Sequence, residues 1–221
     1  MALTEKQILD IERYLNYHEL KQIDLRYEVL DHMANSIESS MEEGISYEDA
    51  FNAAREKWKP ELKSYSSFWL GWVFVGPKMM MKRSINMVKE LYLKAFFIGV
   101  FVTLILVNIF KYIPDHFFNE NLDRSIGIIL GIPILVSLGG LYKIRISNVK
   151  TTYQYFYKTQ GSGYLILNFT LIQGLFNNKQ YFGSDMEFWE MFFPVSLLVC
   201  YYYFFKIYKK HFTIVKQKLV K

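Results

Sequence analysis

The 221-residue chain has a single cysteine, Cys200, which excludes an intrachain disulfide and leaves no Cys-x-x-Cys or Cys/His spacing for a structural metal. Cys200 stands inside an apolar run, where a free thiol behaves as a small hydrophobe. No Walker loop, His-Glu-x-x-His or Gly-x-Ser-x-Gly occurs. Gly161-Ser162-Gly163 has no Lys after it and no strand pattern before it, and His116 beside Asp115 lacks a nucleophile partner. These absences predict a chain that is not an enzyme and carries no cofactor. The opening Met1-Ala2-Leu3-Thr4-Glu5-Lys6 lacks a basic stretch leading into an apolar core, which predicts no cleavable signal peptide.

Charge is absent from four long runs, at 95–110 (extended back by Leu91–Leu93 beyond Lys94), 125–142, 159–178 and 188–205, the last broken only by Glu190. With amphipathic flanks each reaches the roughly 17–25 residues that a helix needs to cross a bilayer, and backbone in lipid must be helical to pair its polar groups. Asn168, Thr170, Gln173 and Gly174 make the third run the most polar, so it is expected to face other helices rather than lipid. No Asp, Lys or Arg lies near the middle of any run, which argues against ion-coupled transport. Asn108, Asn168, Thr170 and Gln173 are expected to bond between helices, and Gly127 and Gly131 are spaced for close helix approach.

Acid is scarce where base is plentiful. Residues 1–63 hold fourteen Asp/Glu and eight Lys/Arg, whereas the remainder holds seven and eighteen. The link after the second run has Lys143, Arg145, Lys150 and Lys158 with no acid, and the tail from Lys206 has six lysines with none. The other two links are acid-rich, with three acids each against two and one bases. This alternation predicts four spans with both termini cytoplasmic. The N-terminal net charge of −6 would repel the phosphates of nucleic acid, so no nucleic-acid partner is expected.

Residues 64–81 are apolar and aromatic but broken at Gly76-Pro77. The segment is short for a span and is read as a helix lying in the membrane interface, with Trp69, Trp72, Lys82 and Arg83 as anchors. The expected organisation is therefore all-α: an acidic three-helix cytoplasmic domain at 1–63, an interfacial connector at 64–90, and a four-span bundle with a basic cytoplasmic tail at 91–221.

In the head, Thr4 and Gln7 form a capping-box pattern opening a helix to about Tyr17, with Ile8, Leu9, Ile11 and Leu15 available for burial. A second helix is expected from about Leu20 to Glu43, its apolar stripe being Ile23, Tyr27, Leu30, Ala34, Ile37 and Met41, stopped at Gly44. Ser46 caps a third, with Tyr47, Ala50, Phe51, Ala54 and Trp58 on one face and Pro60 closing it.

Glu28-Val29-Leu30-Asp31-His32 and the later Gly44-Ile45-Ser46 leading to Ala50 resemble the HAAS type of small helical permease-prefix domain over residues 3–60. Where that family often turns on Leu-Gly-x-Pro, this chain has Lys57-Trp58-Lys59-Pro60. The resemblance implies a bacterial protein with the helical domain fused to membrane spans, of a kind frequently linked to PadR-type regulators or permease-like segments, and so a role in signalling at the inner face. The spans themselves resemble no family.

Glu28, Asp31 and His32 share one helix face at i, i+3 and i+4, where His18 and Glu19 can join them around a cation. A di-metal bundle needs Glu-x-x-His on two helices, which is absent, so the plainer expectation is a polar or partner-binding cluster without metal. The expected function is a non-enzymatic regulatory or interaction protein of the bacterial inner membrane. Its acidic head would bind a cytoplasmic regulatory protein, and membrane lipids and a second copy are its other expected partners. The alternative is a membrane subunit of a transport or assembly complex.

Overall fold

A computed structural model describes residues 2–117, 120–177 and 187–219. Among the described residues the chain is mostly helical and separates into two compact units. One comprises Met1–Asn86, Asn148–Tyr155 and Thr213–Lys221; the other comprises Met87–Ser147 and Phe156–Phe212.

The first unit begins with α1 (Glu5–Tyr17), α2 (Ile23–Glu42) and α3 (Tyr47–Leu62). Thr4 and Gln7 close the capping box at the start of α1, and Ser46 Oγ accepts from the Asp49 N–H to open α3. The α1–α2 turn ends in a 6→1 bond from Leu20 N–H to Leu15 C=O, and the α2–α3 turn in one from Ile45 N–H to Ser40 C=O. Both turns need a left-handed residue. Gly44 supplies it at φ +90°, but Glu19 must adopt φ +56° with a Cβ in place.

The core of α2 is rotated from the expected stripe. Leu25, Val29, Met33 and Ile37 are buried with Ile23, while Tyr27 is 54% exposed and Leu30, Ala34 and Met41 are only half-buried. Steps of four place Leu25, Val29, Met33 and Ile37 in one row, and α2 packs on α1 and α3, where Ile11, Leu15, Ala50, Ala54 and Leu62 are buried too. In α1, Ile11, Tyr14 and Leu15 are buried but Ile8 and Leu9 are exposed. Pro60 does not end α3, which continues to Leu62.

The helix expected over 64–81 is not formed. Strands β1 (Ser64–Ser66) and β2 (Val75–Pro77) pair antiparallel, with Tyr65 opposite Gly76, around a short 3₁₀ turn at Phe68–Leu70. Three local features disfavour a continuous helix: Gly71 sits at φ +93°, Val73 and Val75 are β-branched, and Pro77 has no N–H to give to a preceding turn. A methyl on Gly76 would lie 2.5 Å from Met80 Cε, so a larger residue there would have to displace the end of the Met80 side chain.

Four long helices follow: α4 (Lys78–Phe110), α5 (Glu120–Ile146), α6 (Thr152–Asn177) and α7 (Phe188–Leu219). Among the described residues three stretches, Lys78–Phe110, Gly127–Ile146 and Phe188–Gln217, are long and apolar enough to cross a membrane, and α6 is not among them. Helices α5 and α7 run on through Pro133 and Pro194. Within the second unit, α4 and α7 approach closely at Gly99, where a Cβ would lie 3.0 Å from Phe192 Cε2 and overlap Ser196 Oγ. Asn108, expected to bond between helices, turns its amide back to the Leu104 carbonyl at 2.7 Å. The side chains of Asn168, Thr170, Gln173 and Gly174 lie outside the described residues.

Two outcomes follow for thermal unfolding of the purified chain. Glu19→Gly should stabilise the first unit by about 1 kcal/mol by removing the left-handed Cβ penalty, and an unchanged or lower midpoint would contradict the turn geometry. Met33→Ala should cost about 2–5 kcal/mol, whereas Tyr27→Ala should cost well under half as much; the reverse order would restore the expected stripe.

Candidate functional site

The residues expected to form one cluster have separate partners. Glu28 Oε2 accepts from Arg83 Nη1 at 3.1 Å. Asp31 Oδ2 accepts from Asn35 Nδ2 at 3.3 Å, and the His32 ring stacks on Trp58 with centroids 6.4 Å apart. All three are exposed. His18 lies edge-on to Tyr14 at 4.7 Å, and Glu19 pairs with Lys21. Among the described residues no group of three His, Cys, Asp or Glu is placed to hold a metal ion.

Lys82 and Arg83, read from sequence as interface anchors, bring their charges to carboxylates of the head. Glu61 accepts from both Lys78 and Lys82 at 3.2 Å, and Glu28 from Arg83. Partial burial acts to raise the Glu61 pKa, but hydrogen bonds from Lys82 and Lys78 outweigh it and hold the carboxyl below its ordinary value. Exposed pairs of this kind contribute about 0–1 kcal/mol each, so they orient the first turns of α4 more than they stabilise them. Trp69 and Trp72 sit at the tip of the β1–β2 hairpin; Trp72 is 75% exposed, and Phe68 and Val73 beside it are more so or equally so.

What the structure brings together, and the sequence did not signal, is the start of α2 and the start of α6. The Ile23 N–H, an orphan donor of the first turn of α2, donates to the Lys150 carbonyl at 2.9 Å. In return Asp24 Oδ1 accepts the Thr152 N–H, the first of α6, at 2.9 Å. Thr151 caps α6 from its own side, its Oγ1 accepting the Gln154 N–H at 3.0 Å. Each helix thus completes the other's open end, and a carboxylate sits where the α6 dipole is positive. The partners are 128 residues apart in sequence, beyond the reach of any local pattern.

The surroundings are polar and tightly enclosed. Gln22, Ser84, Thr151, Thr152 and Gln154 are all buried. Gln22 Oε1, Asp24 Oδ2, Ser84 Oγ and Thr152 Oγ1 have no protein hydrogen-bond partner. Each such buried group costs about 1–3 kcal/mol when unpaired. This seam is a partly satisfied network, which makes it the place in the first unit where a small rearrangement can gain or lose hydrogen bonds. Tyr155, in the same segment, meets Phe74 edge-on at 6.2 Å, so the hairpin is tied to the start of α6 as well.

Two measurements bear on the site. Asp24→Ala should lower stability by about 1–2 kcal/mol and expose the 147–151 link to protease, as for loss of a helix N-cap, whereas Asp31→Ala should change it by less than about 0.5 kcal/mol; equal effects would deny Asp24 its role. His18 supplies a pH dependence. Burial first, then the charges of Arg55 and Lys59, hold its pKa below the ordinary value. The unfolded chain therefore takes up the proton first, and stability is full above about pH 6.5 and falls as pH drops through the depressed folded value. His18→Gln should flatten the pH 7-to-5 slope of the unfolding midpoint, and a slope unchanged by the substitution would refute the assignment.

Comparison with protein-family models, with curated proteins and with solved structures finds no match to this chain.

Proposed function

We propose that the chain is a multi-pass, non-enzymatic regulatory or interaction protein of the bacterial inner membrane, whose acidic head binds a cytoplasmic protein partner. The observation that carries this reading is the make-up of the first unit. It gathers the head, residues Asn148–Tyr155 between α5 and α6, and the end of α7 from Thr213. Segments packed into one water-facing unit lie on one side of a membrane. Helices α4 and α5 then leave and return, and α6 and α7 must do the same. Since α7 is apolar enough to cross, parity favours α6 as a fourth span on this reading. The lysine- and arginine-rich 143–158 link and tail favour the cytoplasmic side for this unit.

A partner for the head is supported by its charge of −6, which steers toward a basic protein surface, and by the resemblance of residues 3–60 to the HAAS type. Direct joining of α2 to Lys150 and Thr152 gives such a partner a route to α6, because a load on α2 acts on the first turn of α6 through Asp24.

In a Cys200→Ser background, Asn119→Cys and Ser184→Cys should react with a membrane-impermeant maleimide in intact spheroplasts. Ser67→Cys and Lys216→Cys should react only in inverted vesicles; labelling of Lys216→Cys from outside would break the parity argument. Purification from native membranes in mild detergent should recover a soluble regulator that is lost when head acids such as Glu48 and Glu56 are changed to Gln. Recovery of a channel or ATPase partner, insensitive to those changes, would replace this reading with that of a complex subunit.

A further inference from the structure

A cavity of about 310 Å³ lies inside the second unit, among the last third of α5, the beginning of α6 and the second half of α7. Its polar wall includes Ser137, Lys143, Tyr157 and Tyr208, Val136 and Phe205 are apolar, and among the described residues no acidic side chain lines it. Ser137 and Lys143 are about 9 Å apart along α5 at 1.5 Å per residue, so the cavity runs inward from the basic end of that helix.

Two adjacent glycines shape it. At Gly140 a Cβ would fall 2.8 Å from Tyr157 Oη and 3.4 Å from Tyr208 Cδ2, so only glycine lets these rings close on the α5 backbone. At Gly139 a Cβ would meet nothing within 4 Å, and the residue is exposed, which leaves that side open. Tyr157 Oη donates to the Ser137 carbonyl at 3.3 Å. The Ser137 hydroxyl itself is a different matter: the residue is 4% exposed, yet its Oγ has no protein hydrogen-bond partner. A second cation stands beside the wall, with Lys209 Nζ 4.6 Å from the Phe205 ring centroid.

We infer that this cavity holds the phosphate headgroup of an anionic phospholipid of the inner leaflet. Lys143 supplies the countercharge, the Ser137 hydroxyl gains a partner, and the acyl chains leave past Val136 and Phe205 along the exposed apolar surface. A zwitterionic headgroup would bring its own ammonium toward Lys143 and Lys209, while a free anion would leave the apolar wall without a partner. Basic pockets between spanning helices at the cytoplasmic side suit anionic headgroups for these reasons. The inference rests on the membrane-spanning reading of the second unit with the Lys143 end facing the cytoplasm, and not on the partner of the head.

The test uses the full chain in a neutral detergent, with native mass spectrometry and thermal unfolding read against phosphatidylglycerol, phosphatidylcholine and inorganic phosphate. Phosphatidylglycerol should bind about fivefold more tightly than phosphatidylcholine, the effect of one lysine near the headgroup level. Lys143→Gln should erase that preference and Lys216→Gln, outside the cavity, should keep it. Gly139→Leu should block phosphatidylglycerol, while Gly139→Ala should retain both fold and binding. Equal retention of the two lipids, a preference that survives Lys143→Gln, or equal loss in Lys216→Gln overturns the inference, and so does protection by inorganic phosphate matching that by the lipid. Release of the chain from membranes by alkaline carbonate would overturn the spanning reading as well; a chain that stays embedded without lipid preference overturns the cavity assignment alone.

Discussion

The hydrogen bond from the Thr152 N–H to the Asp24 carboxylate joins two helix beginnings that the chain order keeps far apart. A helix start has donors with no partner inside the helix, and burying them unpaired is costly. Here α2 and α6 each supply what the other lacks, Ile23 giving its N–H to Lys150 and Asp24 receiving that of Thr152. The first unit owes its make-up to this exchange. Without it the head would be a small three-helix cluster with a marginal core of its own. With it, residues Asn148–Tyr155 become part of the same compact unit as the head.

The ion pairs of Glu28 with Arg83 and of Glu61 with Lys78 and Lys82 act in the same direction but more weakly. They are exposed and screened by salt, so they set the bearing of the first turns of α4 rather than hold them. The buried seam of Gln22, Ser84 and Thr152 is a different kind of feature. Polar atoms enclosed without partners lower the stability of one arrangement and so narrow the gap to another. That place lies at the starts of α2 and α6. The cavity beside Ser137 repeats the theme in the second unit, where a buried hydroxyl awaits a partner among basic and aromatic side chains.

Local chemistry was legible in the sequence and long-range chemistry was not. The Thr4 box, the Ser46 cap and the left-handed Gly44 follow from a few adjacent residues, and all are present. The helix of residues 23–42 was legible, but not its orientation, because Tyr27 and Leu30 offer a second apolar row that spacing cannot distinguish from Leu25, Val29 and Met33. Residues 64–81 misled for a related reason: aromatic composition suits a helix at a membrane and a hairpin tip alike, and Gly71 and Pro77 decide between them. Glu28, Asp31 and His32 were legible as residues of one helix. Its partners Arg83 and Trp58 come from other elements, so a shared helix side did not make a shared site.

The central claim is that α2 of the head is seated on the link between α5 and α6. It is tested most directly by a cysteine pair, Ile23→Cys with Lys150→Cys, in a Cys200→Ser background and in native membranes. The Ile23 nitrogen lies 2.9 Å from the Lys150 carbonyl oxygen, so the two backbones are in direct contact there. Mild oxidation or a short bis-maleimide should join the two positions within one chain in most of the protein. Free thiols at both positions after either treatment, each still reactive toward a small maleimide, would contradict the account.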